Sequence, residues 1–125
     1  MSPSAAQTQG PLIQVFGRED SSETRAAIRF FKERRLTIQF IDVRRKPIAA
    51  GEYRRFADLG PEVLADTAGR AWKDAGLGYL RMTREELAER LFSDQRLLKM
   101  PLVRIGNGVA AGRDEAAWRV LLAPG

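Results

Sequence analysis

Leu12–Phe16 is a short apolar run rich in β-branched residues, closed off by Gly10-Pro11 on one side and Gly17 on the other. Such a run between turn residues predicts a buried strand. Arg18–Glu23 is polar. Asp20 or Ser21 can cap a helix there, and Glu23 can complete a capping box with Asp20. From that point to Arg35, Ala27, Ile28, Phe30 and Phe31 fall on one side of a helical projection and Arg29, Lys32, Glu33 and Arg34 largely on the other. That is an amphipathic helix. Leu36–Ile41 then alternates as a second strand.

Beyond Asp42 the period changes. Arg44–Pro47 reads as a basic turn or loop. Ile48–Trp72 has helical spacing at Tyr53, Phe56, Leu59, Val63 and Leu64, but Gly51, Gly60-Pro61 and Gly69 divide it, so several short helices are expected. Thr83–Glu86 is a capping box opening a helix through Leu87 and Leu91. Pro101 precedes a strand over Leu102–Ile105, Asn107-Gly108 signals a two-residue hairpin, and Val109–Ala111 returns. Asp114 or its neighbour caps a last helix whose apolar side is Ala117, Trp118, Leu121 and Leu122. Trp72 and Trp118 both read as core.

A strand, a helix and a strand in about 30 residues make a βαβ unit with parallel strands. With the hairpin and closing helix, the order is that of an α/β, thioredoxin-like domain carrying a helical insertion over about residues 48–98. Residues 11–125 are expected to form that one domain and residues 1–10 a disordered tail. No repeat or linker divides the chain.

Composition narrows the chemistry. Of 125 residues, 44% are apolar and 30% charged, which suits a soluble globular protein. The chain has no cysteine, which excludes a disulfide framework, a thiol nucleophile and a thiolate metal site. It also has no histidine, the usual acid/base near neutral pH and the commonest transition-metal ligand. No metal site or cofactor is expected. There are 21 basic and 16 acidic side chains, a net charge of +5. The densest basic group is Arg29, Lys32, Arg34, Arg35, Arg44, Arg45 and Lys46, with Arg54 and Arg55 nearby. It reads as a solvated surface or a contact for an acidic protein. A nucleic-acid contact is disfavoured, because acids intersperse the basic stretches and no aromatic residues interleave them for base stacking. No run approaches the ~20 apolar residues of a membrane span. Residues 1–10 lack a basic n-region and an apolar h-region, so a cytoplasmic location is expected.

Four segments resemble the arsenate reductase family and the related Spx-type transcription regulators. Val15–Arg25 is a strand running into a helix-opening loop, where the family has a Cys, often a second Cys or Ser, and then an Arg. Ile38–Pro47 is similar to the family's second strand and its proline-containing exit. Trp72–Leu77 is similar to its aromatic followed by Leu-Gly-Leu. The most specific piece is Phe92 followed by Leu97–Arg104, which looks like a helix and then Leu-Leu-x-Arg-Pro-Ile-Val-Val. Behind it, Val109–Gly112 resembles the short return strand. The likeness spans roughly Ile13 to Leu122.

The resemblance implies the same thioredoxin-like fold and a specific set of site positions. The family's reactive Cys falls on Ser21 and the second Cys of its two-Cys members on Thr24. Arg25 keeps the following Arg. Asp66 stands where the reductases carry an arginine, Met100 stands in place of the Arg before the proline, and Arg113 matches a further oxyanion arginine. Pro101 corresponds to the structural cis-proline facing the reactive loop. Reduction of arsenate requires a thiolate within a cluster of positive charge. A serine with no evident base stays protonated and offers no redox couple. Glu19, Asp20 and Asp66 are further expected to make the cleft acidic and hostile to a dianion. The resemblance therefore implies a redox-inactive, Cys-less relative. The resemblance further implies a role as a protein-binding or regulatory module, and its Spx branch makes the transcription machinery the implied partner. The alternative is a non-redox enzyme or a glutathione- or anion-binding protein using Ser21, Ser22, Arg25 and Arg113.

Overall fold

The computed structural model describes residues 11–123; the tail expected over residues 1–10 lies outside them. Strand β1 (Ile13–Gly17) leads through helix α1 (Ser22–Glu33) to strand β2 (Gln39–Asp42). Helices α2 (Ala50–Ala57), α3 (Pro61–Leu64), α4 (Arg70–Asp74) and α5 (Arg84–Ser93) follow, with 3₁₀ turns at Leu77–Tyr79 and Gln95–Leu97. Strands β3 (Leu102–Ile105) and β4 (Gly108–Ala111) and helix α6 (Glu115–Leu122) complete the order. The sheet runs β2-β1-β3-β4, with β2 parallel to β1 and β3 antiparallel to both its neighbours. This is an α/β, thioredoxin-like arrangement.

Side chains of a strand alternate between its faces, so the central strands feed two cores. Ile13 and Val15 of β1, with Val103 and Ile105 of β3, pack with Ala27, Phe30 and Phe31 of α1 and Trp118 of α6. Phe16 and Leu102 point the other way, into a core built with Tyr53, Phe56, Leu64, Leu91 and Leu97 from the helical segment. Trp118 is fully buried, whereas Trp72 is half-buried at the margin of the second core. Gln14, in the middle of β1, is satisfied along the register: its amide donates to Gln39 Oε1 at 2.9 Å and its oxygen accepts from Arg104 at 3.3 Å. Among the described residues no helix is long and apolar enough to cross a membrane.

Helix ends follow their sequence signals with two differences. The Thr83–Glu86 capping box forms in both directions, at 3.0 and 2.7 Å, and Asp114 accepts from Ala117 N–H at 3.0 Å. Helix α1 ends earlier than Arg35, and β2 begins later than Leu36. Between them the Arg35 N–H donates to Lys32 O at 2.9 Å and the Leu36 N–H to Phe31 O at 3.0 Å, with Arg35 at φ 59°. These are the paired bonds of a Schellman closure, built on an arginine where glycine is the usual occupant, and they consume the residues that alternation had assigned to the strand. The hairpin also shifts by one residue. Ile105 pairs with Gly108, so the two-residue turn is Gly106-Asn107, not Asn107-Gly108. Gly106 sits at φ 59° while Asn107 does not have positive φ, the pattern of a turn with glycine at its first central position.

Gly17 closes β1 because α1 approaches it closely. A Cβ there would stand 2.5 Å from Thr24 Oγ1 and 2.6 Å from Thr24 Cγ2, and Thr24 is fully buried and stiff at χ1. Gly17→Ala is therefore expected to destabilise the fold by about 2 kcal/mol through overpacking. Denaturant unfolding should show a lower midpoint with an unchanged slope; an unchanged midpoint would show that α1 yields at no cost.

A candidate ligand cleft at the start of helix α1

The loop between β1 and α1 is tightened by local hydrogen bonds. The Ser21 N–H donates to Arg18 O at 3.0 Å, and the Arg18 N–H donates to Thr24 Oγ1 at 3.4 Å. Ser21 is the N-cap of α1: its Oγ accepts from Thr24 N–H at 3.2 Å and donates to Glu23 Oε1 at 3.4 Å. Asp20 does not cap the helix and forms no capping box with Glu23. It faces outward and pairs with Arg44 at 3.1 Å.

The opposite wall comes from far along the chain. An isolated antiparallel bridge joins Ala65 to Leu98. Its bonds run from Asp66 N–H to Leu97 O and from Lys99 N–H to Leu64 O, both 2.8 Å. Asp66 and Lys99 thereby take diagonal positions on either side of the bridge, and both line the same cleft. The Met100–Pro101 peptide bond that follows is cis. The Gly112 N–H donates to Pro101 O at 2.8 Å, which brings Arg113 in beside Met100. Gly112 holds φ 76°, a left-handed conformation that glycine adopts freely.

Between these walls lies a cleft of about 350 Å³ lined by Arg18, Ser21, Glu23, Asp66, Lys99 and Arg113, with Met100 and Gly112. Ser21 and Arg113 thus come together. Ser22 and Arg25 do not join them: both are exposed and outside the lining, and the Arg25 guanidinium donates to Glu19 O at 2.8 Å. Thr24 is buried behind Ser21, and Pro101 is buried. The sequence reading assigned Glu19 and Asp20 to this cleft, but neither lines it. Three cations, Arg18, Lys99 and Arg113, face two carboxylates, Glu23 and Asp66, so the cleft is mixed with a positive excess rather than acidic. Arg18 and Lys99 went unnoticed in the sequence. The family pattern points to Met100, next to the proline, whereas the cation stands one position earlier at Lys99.

Glu23 has its carboxyl held below the ordinary value of 4.5, first by a backbone hydrogen bond at its own N–H, which outweighs the opposing cost of burial, and then by the Ser22 and Ser21 hydroxyls and the Arg113 charge. A carboxylate so stabilised is a poorer base than usual. Ser21, with its hydroxyl engaged as a helix cap, has no partner able to activate it as a nucleophile. Among the described residues no group of three or more acidic side chains is placed to hold a metal ion. The cleft thus brings a helix-capping hydroxyl together with three cations and two carboxylates.

The ArsC family model matches residues 16–121, and the chain belongs to the ArsC family. Solved structures share its fold. A protein named YFFB is 17% identical with a TM-score of 0.77, covering 89% of this chain and 99% of its own. An ArsC family related protein from Bacteroides fragilis is 20% identical with a TM-score of 0.76, covering 87% of this chain and 96% of its own. An arsenate reductase from Vibrio cholerae is 14% identical with a TM-score of 0.72, covering 89% and 98%. No curated protein sequence matches the chain.

The lowered Glu23 carboxyl fixes the sign of a pH effect. A carboxyl depressed in the folded state contributes stability above its unfolded value, and that contribution disappears as pH falls through the folded one. The stability difference between the wild type and Glu23→Gln is therefore expected to stay constant from neutral pH down to about 4.5 and to shrink below it. Denaturation series over that range measure it; a difference that grows on acidification would contradict the assignment.

Proposed function

We propose that this chain is a redox-inactive member of the ArsC family that uses the Ser21 cleft to hold a small, net-anionic zwitterion without covalent chemistry. The observation that carries this is the charge set of the cleft, three cations facing two carboxylates around a hydroxyl. A relative named arsenate reductase acts, by that name, on arsenate. Taking As(V) to As(III) requires two electrons, which a thiolate supplies and a hydroxyl does not. With neither cysteine nor histidine in the chain, Ser21 has no route to that chemistry. The mixed charge disfavours a bare dianion and favours a ligand bearing both signs. Reduced glutathione, with two carboxylates and one ammonium, has the matching balance: its carboxylates face Lys99, Arg18 and Arg113, and its ammonium faces Asp66 or Glu23.

A second reading, a protein-binding or regulatory module, draws support from the basic surface. Arg29, Lys32, Arg34, Arg35, Arg44, Arg45 and Lys46 are all exposed. Such a surface attracts acidic partners over a Debye length of about 8 Å at physiological salt.

Calorimetric titration separates the two readings. Glutathione is expected to bind one to one, and Lys99→Ala is expected to weaken it at least about tenfold, since a hydrogen bond to a charged group contributes roughly 1.5 kcal/mol or more. A coupled assay with thiol donors should show no reduction of arsenate above the uncatalysed background. Turnover above background would refute the redox-inactive reading, and an absence of glutathione binding would refute the ligand reading.

A further inference from the structure

A second charged hollow lies behind the cleft, in the groove between α1 and α6. It has a volume of about 330 Å³ and is lined by Arg29, Glu33 and Arg34 from α1 and its C-cap and by Arg113, Glu115 and Arg119 from α6 and the residue just before its N-cap, with Ala26 and Phe30 also from α1. Four guanidinium groups around so small a space repel one another, and two carboxylates leave the hollow with an excess of positive charge. Three of the four are held in place before any ligand arrives. Arg34 lies 3.6 Å above the centre of the Phe30 ring and donates to Phe30 O at 3.0 Å. Glu115 holds Arg113 at 3.3 Å and Arg119 at 3.5 Å, so one carboxylate is shared by two cations. Arg29 has no ion-pair partner among the described residues.

From this geometry we infer that the groove is a binding site for a compact polyanion carrying two linked phosphate groups. Guanidinium forks match phosphate oxygens bidentately, and fixing them beforehand reduces the entropy lost on binding. Two cations come from α1 and its C-cap and two from α6 and the residue just before its N-cap, more than one phosphate group takes up, which favours a diphosphate over a single phosphate. Size and lining also disfavour a protein segment. Stable protein interfaces bury about 1,200 Å² or more around an apolar centre, whereas this hollow is small and almost wholly polar in its walls. The inference does not rest on the cleft reading: Arg113 is the one side chain common to both cavities.

Inorganic pyrophosphate is the probe, titrated into the whole protein by calorimetry beside orthophosphate and an acidic peptide of equal charge. The expected result is binding that weakens with salt, is at least about tenfold tighter than orthophosphate, and weakens about tenfold in each of Arg29→Ala and Arg119→Ala. Both side chains are exposed, and circular dichroism melting checks that each variant is folded. Lys99→Ala should leave pyrophosphate affinity unchanged. Loss of binding in Lys99→Ala with retention in both arginine variants would place the anion in the Ser21 cleft and overturn this inference. Equal affinity for orthophosphate or for the acidic peptide would also overturn it, by reducing the groove to unspecific charge. Pyrophosphate binding that depends on Arg29 and Arg119 would support it even if glutathione does not bind at all.

Discussion

Two backbone hydrogen bonds tie the helical segment to the strand that shapes the cleft. Leu64, Ala65, Leu97 and Leu98 are all buried, and each brings an amide and a carbonyl that must be paired once water is excluded. The bridge between Ala65 and Leu98 pairs part of this set, and it does so only in one register. That register puts Asp66 and Lys99 in the lining of one cleft and leads the chain into the cis Met100–Pro101 bond and the start of β3. Gly112 then returns to Pro101 O and delivers Arg113. A single local pairing thus fixes most of one wall of the cleft.

The other wall depends on close packing. The absence of a side chain at Gly17 lets Thr24 seat against the end of β1, and Thr24 in turn receives the Arg18 N–H and gives its own N–H to Ser21. The Ser21 hydroxyl, at the position that the resemblance aligns with the family's reactive Cys, is thereby spent on helix capping. Cations from Lys99, Arg18 and Arg113 still converge on it. The cleft thus combines a capped hydroxyl with charges of both signs.

The order of elements was legible in the sequence because strands and helices here carry clean periods. The Thr83 and Asp114 caps and the glycine breaks in the helical segment read directly into the structure. Asn107-Gly108 misled by one position because the dipeptide favours one turn type, while Gly106 supplied the positive φ for another. Leu36 and Arg35 looked like the approach to a strand, but helix closure claimed them first. The cleft was harder to read. Glu19 and Asp20 are neighbours of Ser21 along the chain yet turn outward, whereas Lys99 and Arg113 come from distant segments that only the bridge and the Gly112 return bring close. Sequence proximity to Ser21 said little about charge facing Ser21.

The central claim is that a thiol-free cleft still receives a ligand between Ser21 and Lys99. Amide chemical-shift mapping with reduced glutathione measures this residue by residue. The account predicts perturbations clustered at Ser21–Glu23, Asp66, Lys99 and Gly112–Arg113. Shifts confined to Arg44–Lys46 or to the α1–α6 groove, with the Ser21 loop silent, would contradict it.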